Sequence, residues 1–306
     1  MSVLLNAGGL VVEIDGASEH VEVVRERLGS IRAAGVERDV RLSIETGSAH
    51  LPDREADATA ADADLWWGDE RLELTWCGVA ARIEASTVVI TVPADRADEA
   101  ETYDAIDRLT QYGIAAAVVG PQRALVHGAA FARCDRALVV VGSSGAGKST
   151  LAAAAWQHGW SLLGDDLVVT RRQGEELTAR GVLRPPLVPD GSVPAGTGTP
   201  VPDDRARRRL SPDVLSSAEL PVAGIVVADH DGGPGRVDEI AAADRVPALL
   251  HGLAVPPVPP VLAAHLPMLA ALGGLPVHRL GHSADPDDRV ERAAELLDGI
   301  GRRVGA

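Results

Sequence analysis

Lysine is all but missing from this chain. Of its 29 basic residues 28 are arginine, and Lys148 is the sole lysine in 306 positions. Cysteine is nearly as scarce: Cys77 and Cys134 are the only two, and no CxxC or Cys/His spacing surrounds either. That excludes a disulfide framework and a structural zinc site, and it fits a reducing cytoplasm. Positive charge is in deficit overall, with a net charge of -15 and a pI near 5.0. Such a surface repels phosphate backbones, so no nucleic-acid partner is expected. Long apolar runs are missing too. The uncharged stretch Leu249–His278 is broken by Pro256, Pro257, Pro259, Pro260, Pro267 and Pro276, a density that a membrane-spanning helix does not carry, so no membrane partner is expected. Residues 1–16 have neither the basic start nor the continuous apolar core of a secretory leader.

What is present reads as a packed enzyme of two domains. Hydrophobic residues make up 46% of the chain and mean hydropathy is +0.06; the 32 glycines and 20 prolines fall short of a low-complexity composition. Residues 1–114 read as a smaller mixed α/β domain. Short strands are predicted at Leu10–Ile14, Val40–Glu45, Arg71–Trp76, Ala80–Glu84 and Thr87–Val92. Val21, Val24 and Leu28 have helical spacing within Ala17–Leu28, as do Tyr103, Ile106, Leu109 and Tyr112 within Asp98–Tyr112. The acidic, alanine-rich segment Asp53–Asp64 reads as an exposed connection. From residue 115 to 306 the texture becomes near-continuous apolar runs bounded by glycine, the signature of strands covered on both faces. Arg123–Ala130, Ala137–Val141 and Val222–Ala228 are such runs; Leu162–Leu163 and Leu167–Thr170 flank Gly164-Asp165-Asp166. Pro185–Asp204 reads as a loop on its proline and glycine content, and Asp287–Gly301 as a terminal amphipathic helix.

The lone lysine stands in a run of special composition. Gly142, Ser143, Ser144, Gly145, Ala146, Gly147, Lys148 and Ser149, followed by Thr150, satisfy the pattern GxxxxGK[ST], with a buried strand before and a helix after. Glycines let backbone N–H groups curl round phosphate oxygens, the helix N-terminus adds partial positive charge, and the lysine reaches the outer phosphates. Ser149 is then the hydroxyl ligand of Mg²⁺. A carboxylate is needed beside that metal, and two places offer one: the pair Asp165-Asp166, and Asp229 at the end of Ile225-Val-Val-Ala-Asp. They imply different chemistry. Paired carboxylates supply one group for the metal and one to take a proton from an attacking hydroxyl, whereas a single aspartate suits an NTPase that uses water.

His127 sits alone in the apolar run Leu125-Val-His-Gly-Ala-Ala130. The set His127-Gly-Ala-Ala, the glycine loop through Lys148-Ser149, and Gly164-Asp-Asp166 resembles the HPr kinase/phosphorylase-like group, a branch of the phosphoenolpyruvate-carboxykinase-like P-loop proteins. The resemblance covers roughly Ala115–Ala228. It implies an α/β P-loop kinase domain and transfer of the γ-phosphoryl group of ATP, with Mg²⁺, to a hydroxyl of a peptide, protein or small molecule. By the same resemblance Asp166 acts as base, Asp165 and Ser149 manage the metal, and His127 orients the carboxylates; assembly of identical chains is a further implication. Two departures stand out. Threonine occupies position 178, in Thr178-Ala-Arg180-Gly181, where relatives that act on HPr carry an acid two residues before Arg-Gly. The second lysine that carboxykinase chemistry requires is missing. Nor is there an LSGGQ signature of ABC transport motors.

Weaker features read as structure. Arg205, Arg207, Arg208 and Arg209 form the one dense basic cluster, read as a solvated loop before a helix. Trp156 and Trp160 read as core or contact residues. His278 and His282 share a spacing of four, but Gly281 interrupts any helix and no carboxylate accompanies them.

Overall fold

The computed structural model describes residues 1–28, 38–49, 51–60, 63–68, 71–96, 99–182, 184–201, 206–229, 236–254, 258–281, 291–292, 295 and 298–299. Arg205, His282 and the terminal helix expected at Asp287–Gly301 lie wholly or mostly outside them. The chain folds into two compact units, one of Met1–Pro121 with Ala254–Leu266, the other of Gln122–Leu253 with Pro267–Ala306.

The first unit is a mixed sheet backed by helices. Its strands are β1 (Ser2–Ala7), β2 (Leu10–Gly16), β3 (Val40–Thr46), β4 (Ala58–Ala60), β5 (Ala63–Trp67), β6 (Arg71–Trp76), β7 (Val79–Glu84) and β8 (Thr87–Val92), in the order β1-β2-β3-β8-β7-β6-β5-β4. β2, β3 and β8 run parallel; the other neighbours are antiparallel. Alternation is strict in β3, where Val40, Leu42 and Ile44 are buried while Arg41 and Glu45 are exposed. Helix α1 (Ser18–Leu28) buries Val21, Val24 and Leu28, the stripe expected from spacing. Helix α2 (Ala100–Val118) runs beyond Tyr112, because Ile114, Ala115 and Val118 enter the core and their burial outweighs the poor helix propensity of Gly113. The connection expected over Asp53–Asp64 contains β4 and the start of β5. Thr59 Oγ1 donates to Asp64 across that hairpin at 2.8 Å, a local bond that composition does not reveal.

The second unit is built on β9 (Arg123–Arg133), β10 (Arg136–Val141), β11 (Ser161–Gln173), β12 (Glu176–Gly181), β13 (Leu187–Pro189), β14 (Thr199–Val201), β15 (Arg207–Arg209), β16 (Leu220–Asp229), β17 (Val237–Glu239) and β18 (Val277–Gly281). Its helices are α3 (Lys148–Gln157), α4 (Ala242–Leu249) and, from Pro267, the second half of α5 (Pro259–Gly273). The main sheet runs β10-β9-β11-β12-β16-β18-β17, and β10 also pairs in parallel with β16. Pairings β10-β9-β11-β12-β16 therefore return to β10 in a closed cycle. The apolar runs are explained by two cores. Val139, Val168, Ile225, Met268 and Leu272 pack on one side, and Phe131, Leu138, Val140, Leu151 and Trp160 on the other, so successive residues of β10 serve opposite cores. Trp160 meets Phe131 edge to face at 5.8 Å, the core role expected of it.

Two expectations are corrected here. The segment Pro185–Asp204 is not wholly loop, since β13 and β14 both pair with β15, and the arginine run Arg207–Arg209 is that central strand. Arg208 supplies the reason: its guanidinium donates to the carbonyls of Thr197 and Gly198 at 2.6 and 3.0 Å and to Asp190 at 2.9 Å, and these bonds pin three short strands that lack apolar pattern. Among the described residues no helix is long and apolar enough to cross a membrane.

Candidate functional site

The site forms where β10 ends. Its last residue, Val141, leads into Gly142, whose φ of +153° and close approach to Ala228 of β16 leave no room for a side chain: a Cβ there would lie 2.5 Å from the Ala228 carbonyl oxygen. The loop turns at Ser143, where the carbonyl accepts from Ala146 N–H at 3.1 Å, and Gly147 then adopts the left-handed conformation that starts α3. Ser143, Ser144 and Gly145 are exposed, Ala146 and Thr150 are buried, and Ser149 is half-buried. Lys148 is buried, and its Nζ donates to the carbonyls of Gly142 and Ser143 at 2.9 and 3.0 Å. Burial lowers its pKa, against the opposing pull of Asp166 and then Asp165.

Both aspartates sit on β11, which is one continuous strand instead of two flanking pieces. Asp165 is paired with Ala129 and Asp166 with Gly128 of β9, one step from His127 opposite Leu167. In a regular strand neighbouring residues point to opposite faces. Asp166 breaks that rule with φ of +101°, a conformation rare outside glycine, and its carboxylate comes to lie 3.6 Å from His127 Nε2. Alternation places Asp165 on the face of α3, where its carboxyl meets the Ser149 hydroxyl. The two carboxylates, Lys148, Ser149 and His127 are thus gathered at the N-terminus of α3, as the sequence grouped them.

Asp165 is almost fully buried, and burial, then the charge of Asp166, push its pKa up to about 7. The Ser149 hydroxyl, Arg184 and the Leu187 N–H pull the other way. Its Oδ1 nevertheless has no hydrogen-bond partner. An orphaned, buried carboxylate oxygen beside a hydroxyl at a helix N-terminus is a donor set that suits a hard divalent cation. Among the described residues no three His, Cys, Asp or Glu side chains converge as a metal cluster, so ligands other than these must complete the coordination of any cation held there.

Arg184 is the residue that sequence reading missed. Its guanidinium, only 10% exposed, donates to Asp166 Oδ2 at 2.5 Å. The chain leaves β12 at Gly181, Val182 N–H donates to the Leu167 carbonyl at 3.0 Å, and this return beside β11 delivers Arg184 to the aspartate. The approach depends on Gly181, whose Cβ would stand 1.8 Å from the Leu163 carbonyl oxygen. Its one signal in the sequence is an arginine just before Pro185-Pro186, after the Arg-Gly pair.

Asp229 reaches the same end of the sheet by another route. Val141 pairs with Val227, so Asp229 lies two residues past the register of the loop's first strand, with Arg279 Nε 3.3 Å from Oδ2. His278 is buried in β18. Cys77 and Cys134 are both free thiols.

No family model matches the chain, and no curated protein does. Among solved structures, the Hpr(Ser) kinase/phosphatase from Coxiella burnetii is similar at 12% identity, over 60% of this chain and 99% of that one, with a TM-score of 0.32. The likeness is a distant one of fold.

Proposed function

We propose that this chain is a P-loop kinase that transfers the γ-phosphoryl group of ATP to the hydroxyl of a peptide, protein or small-molecule acceptor. The observation that carries the reading is the convergence of Lys148, Ser149, Asp165, Asp166 and His127 at the N-terminus of α3. Loop amides and the helix terminus receive the phosphates, and Lys148 exchanges the carbonyls of Gly142 and Ser143 for phosphate oxygens. Asp166 accepts the acceptor's hydroxyl proton as the new O–P bond forms and the bond from Pγ to the bridging oxygen of ADP breaks. His127 and Arg184 hold its two oxygens in place. Ser149 and Asp165 would hold Mg²⁺, which when bound neutralises phosphate charge. Positioning and charge compensation supply most of the catalysis. Assembly of identical chains and a cytoplasmic setting belong to the same proposal.

A second reading has an observation of its own. Asp229 ends the strand parallel and adjacent to the one that feeds the loop, the place of the metal-side aspartate in many P-loop ATPases. It predicts hydrolysis of ATP by water. The test follows γ-labelled ATP with purified protein and fractionated cell extract, against Lys148→Ala. Label on an organic acceptor, falling about 10²–10³-fold in the variant, is the expected outcome. Label only in inorganic phosphate, lost in Asp229→Asn and kept in Asp166→Asn, favours the ATPase.

A further inference from the structure

The sheet face that carries His127 also carries three arginines. Between β9 and β11, Arg123 pairs with Arg171 and His127 with Leu167; between β11 and β12, Val169 pairs with Arg180 and Arg171 with Thr178. Paired residues share a face and alternate ones take the other. Arg123, Arg171, Arg180 and His127 are therefore on one side, while Ala124, Val126, Val168 and Ala179 line the core on the opposite side. Arg180 stands one side-chain level along the strands from His127, roughly 7 Å, and two strands across, roughly 10 Å, with β11 between them.

Arg180 differs from the cations around it. Arg184 is paired with Asp166, and Arg123 and Arg171 have interactions of their own. Arg180 is half-buried, its Nε is sealed from solvent without an acceptor, and no described residue supplies its guanidinium with a hydrogen bond or a counter-charge. The acid expected from the resemblance at position 178 is a threonine, and the nearby carboxylate, Glu219, accepts from Thr178 at 2.7 Å and Gln173 at 3.2 Å instead. A partly desolvated cation without a counter-charge is costly, and an anionic ligand removes that cost through charge-assisted hydrogen bonds. In a chain of net charge -15, a sheet face with three arginines is an exception.

We propose that Arg180 is the anion-recognition residue of the acceptor subsite, and that the acceptor is a small alcohol carrying a carboxylate or a phosphate. The assignment rests on the kinase reading above. The anion docks on Arg180 in the field of Arg123 and Arg171, and this leaves the hydroxyl free to approach Asp166.

The test is a titration of the full chain, with the glycine loop filled by Mg·AMP-PNP and the arginine Nε–H resonances followed by NMR. The probes are D-glycerate, glycerol 3-phosphate and, as the neutral control, glycerol. Expected is a saturable shift of the Arg180 resonance with one or both anions and none with glycerol; which anion acts separates carboxylate from phosphate. Arg180→Gln should weaken that binding about tenfold or more while the affinity for Mg·AMP-PNP stays unchanged. Arg180→Lys, which keeps the charge and loses the planar fork, should fall between. The proposal is overturned if neither anion moves Arg180, if glycerol binds equally, or if Arg180→Gln weakens Mg·AMP-PNP binding instead. Failure of Mg·AMP-PNP to bind sinks the kinase reading alone, because the same titration on the nucleotide-free chain still decides Arg180.

Discussion

The two large sheets treat charge in opposite ways. In the first unit β3 alternates strictly, with Val40, Leu42 and Ile44 inward, and arginines pair with acids at the surface, as Arg71 does with Glu84 and Arg54 with Asp57. In the second unit both faces of β10 are buried, and the charges that matter, Lys148, Asp165 and Arg184, are buried with them. The second sheet accommodates them by departing from regularity: a positive φ at Asp166, a shift of register between Leu162 and Gly164, and backbone contact at Gly181. Regular strands build a scaffold; the irregular one places two adjacent carboxylates on a single face.

The sharpest way to break this contrast is at the backbone contact. Gly181→Ala must displace the Leu163 carbonyl, whereas Gly47 of the first unit has nothing within 4 Å of its would-be Cβ. Denaturant titrations should show a loss of about 4 kcal/mol or more for the former and a change within about 0.5 kcal/mol for Gly47→Ala.

Next in size is the buried carboxyl. Its folded pKa of about 7 lies above the ordinary 3.8, so the native state holds the proton more tightly than the unfolded chain. That stability is full below about pH 4 and is lost as pH rises through 7. Asp165→Asn removes the loss. It should therefore be more stable than the parent at pH 8, by on the order of 2–4 kcal/mol, with the gap closing toward pH 4 in denaturation series without divalent cations. The smallest effect belongs to the first sheet's surface. Arg82→Ala, which removes a contact of 3.7 Å to Glu84 between two exposed side chains, should change stability by no more than about 0.5 kcal/mol.

How much of this was legible in the sequence follows from how local each feature is. The glycine loop and Lys148 are contiguous, with a strand and a helix on either side, and composition alone singles them out. The pair Asp165-Asp166 is legible as a pair, but the backbone turn that lets both face α3 is a tertiary effect of β9 and β12 closing on β11. His127 stands out only through resemblance, since an isolated histidine in an apolar strand has no signature. Arg184 reaches Asp166 because the chain doubles back after Gly181, and one-dimensional spacing carries no trace of that return. The strands on either side of Arg208 escaped for a related reason, because long-range hydrogen bonds from one guanidinium hold them where local propensity favours a loop.

The burial of Lys148 in a chain otherwise free of lysine has a practical side. Lys148 carries the one side-chain primary amine in these 306 residues. A reagent that acylates lysine side chains therefore has one address among them, inside the glycine loop. Mass spectrometry of a single tryptic fragment then counts how often the loop is covered, and the protein brings its own footprinting probe to the place where its chemistry is done.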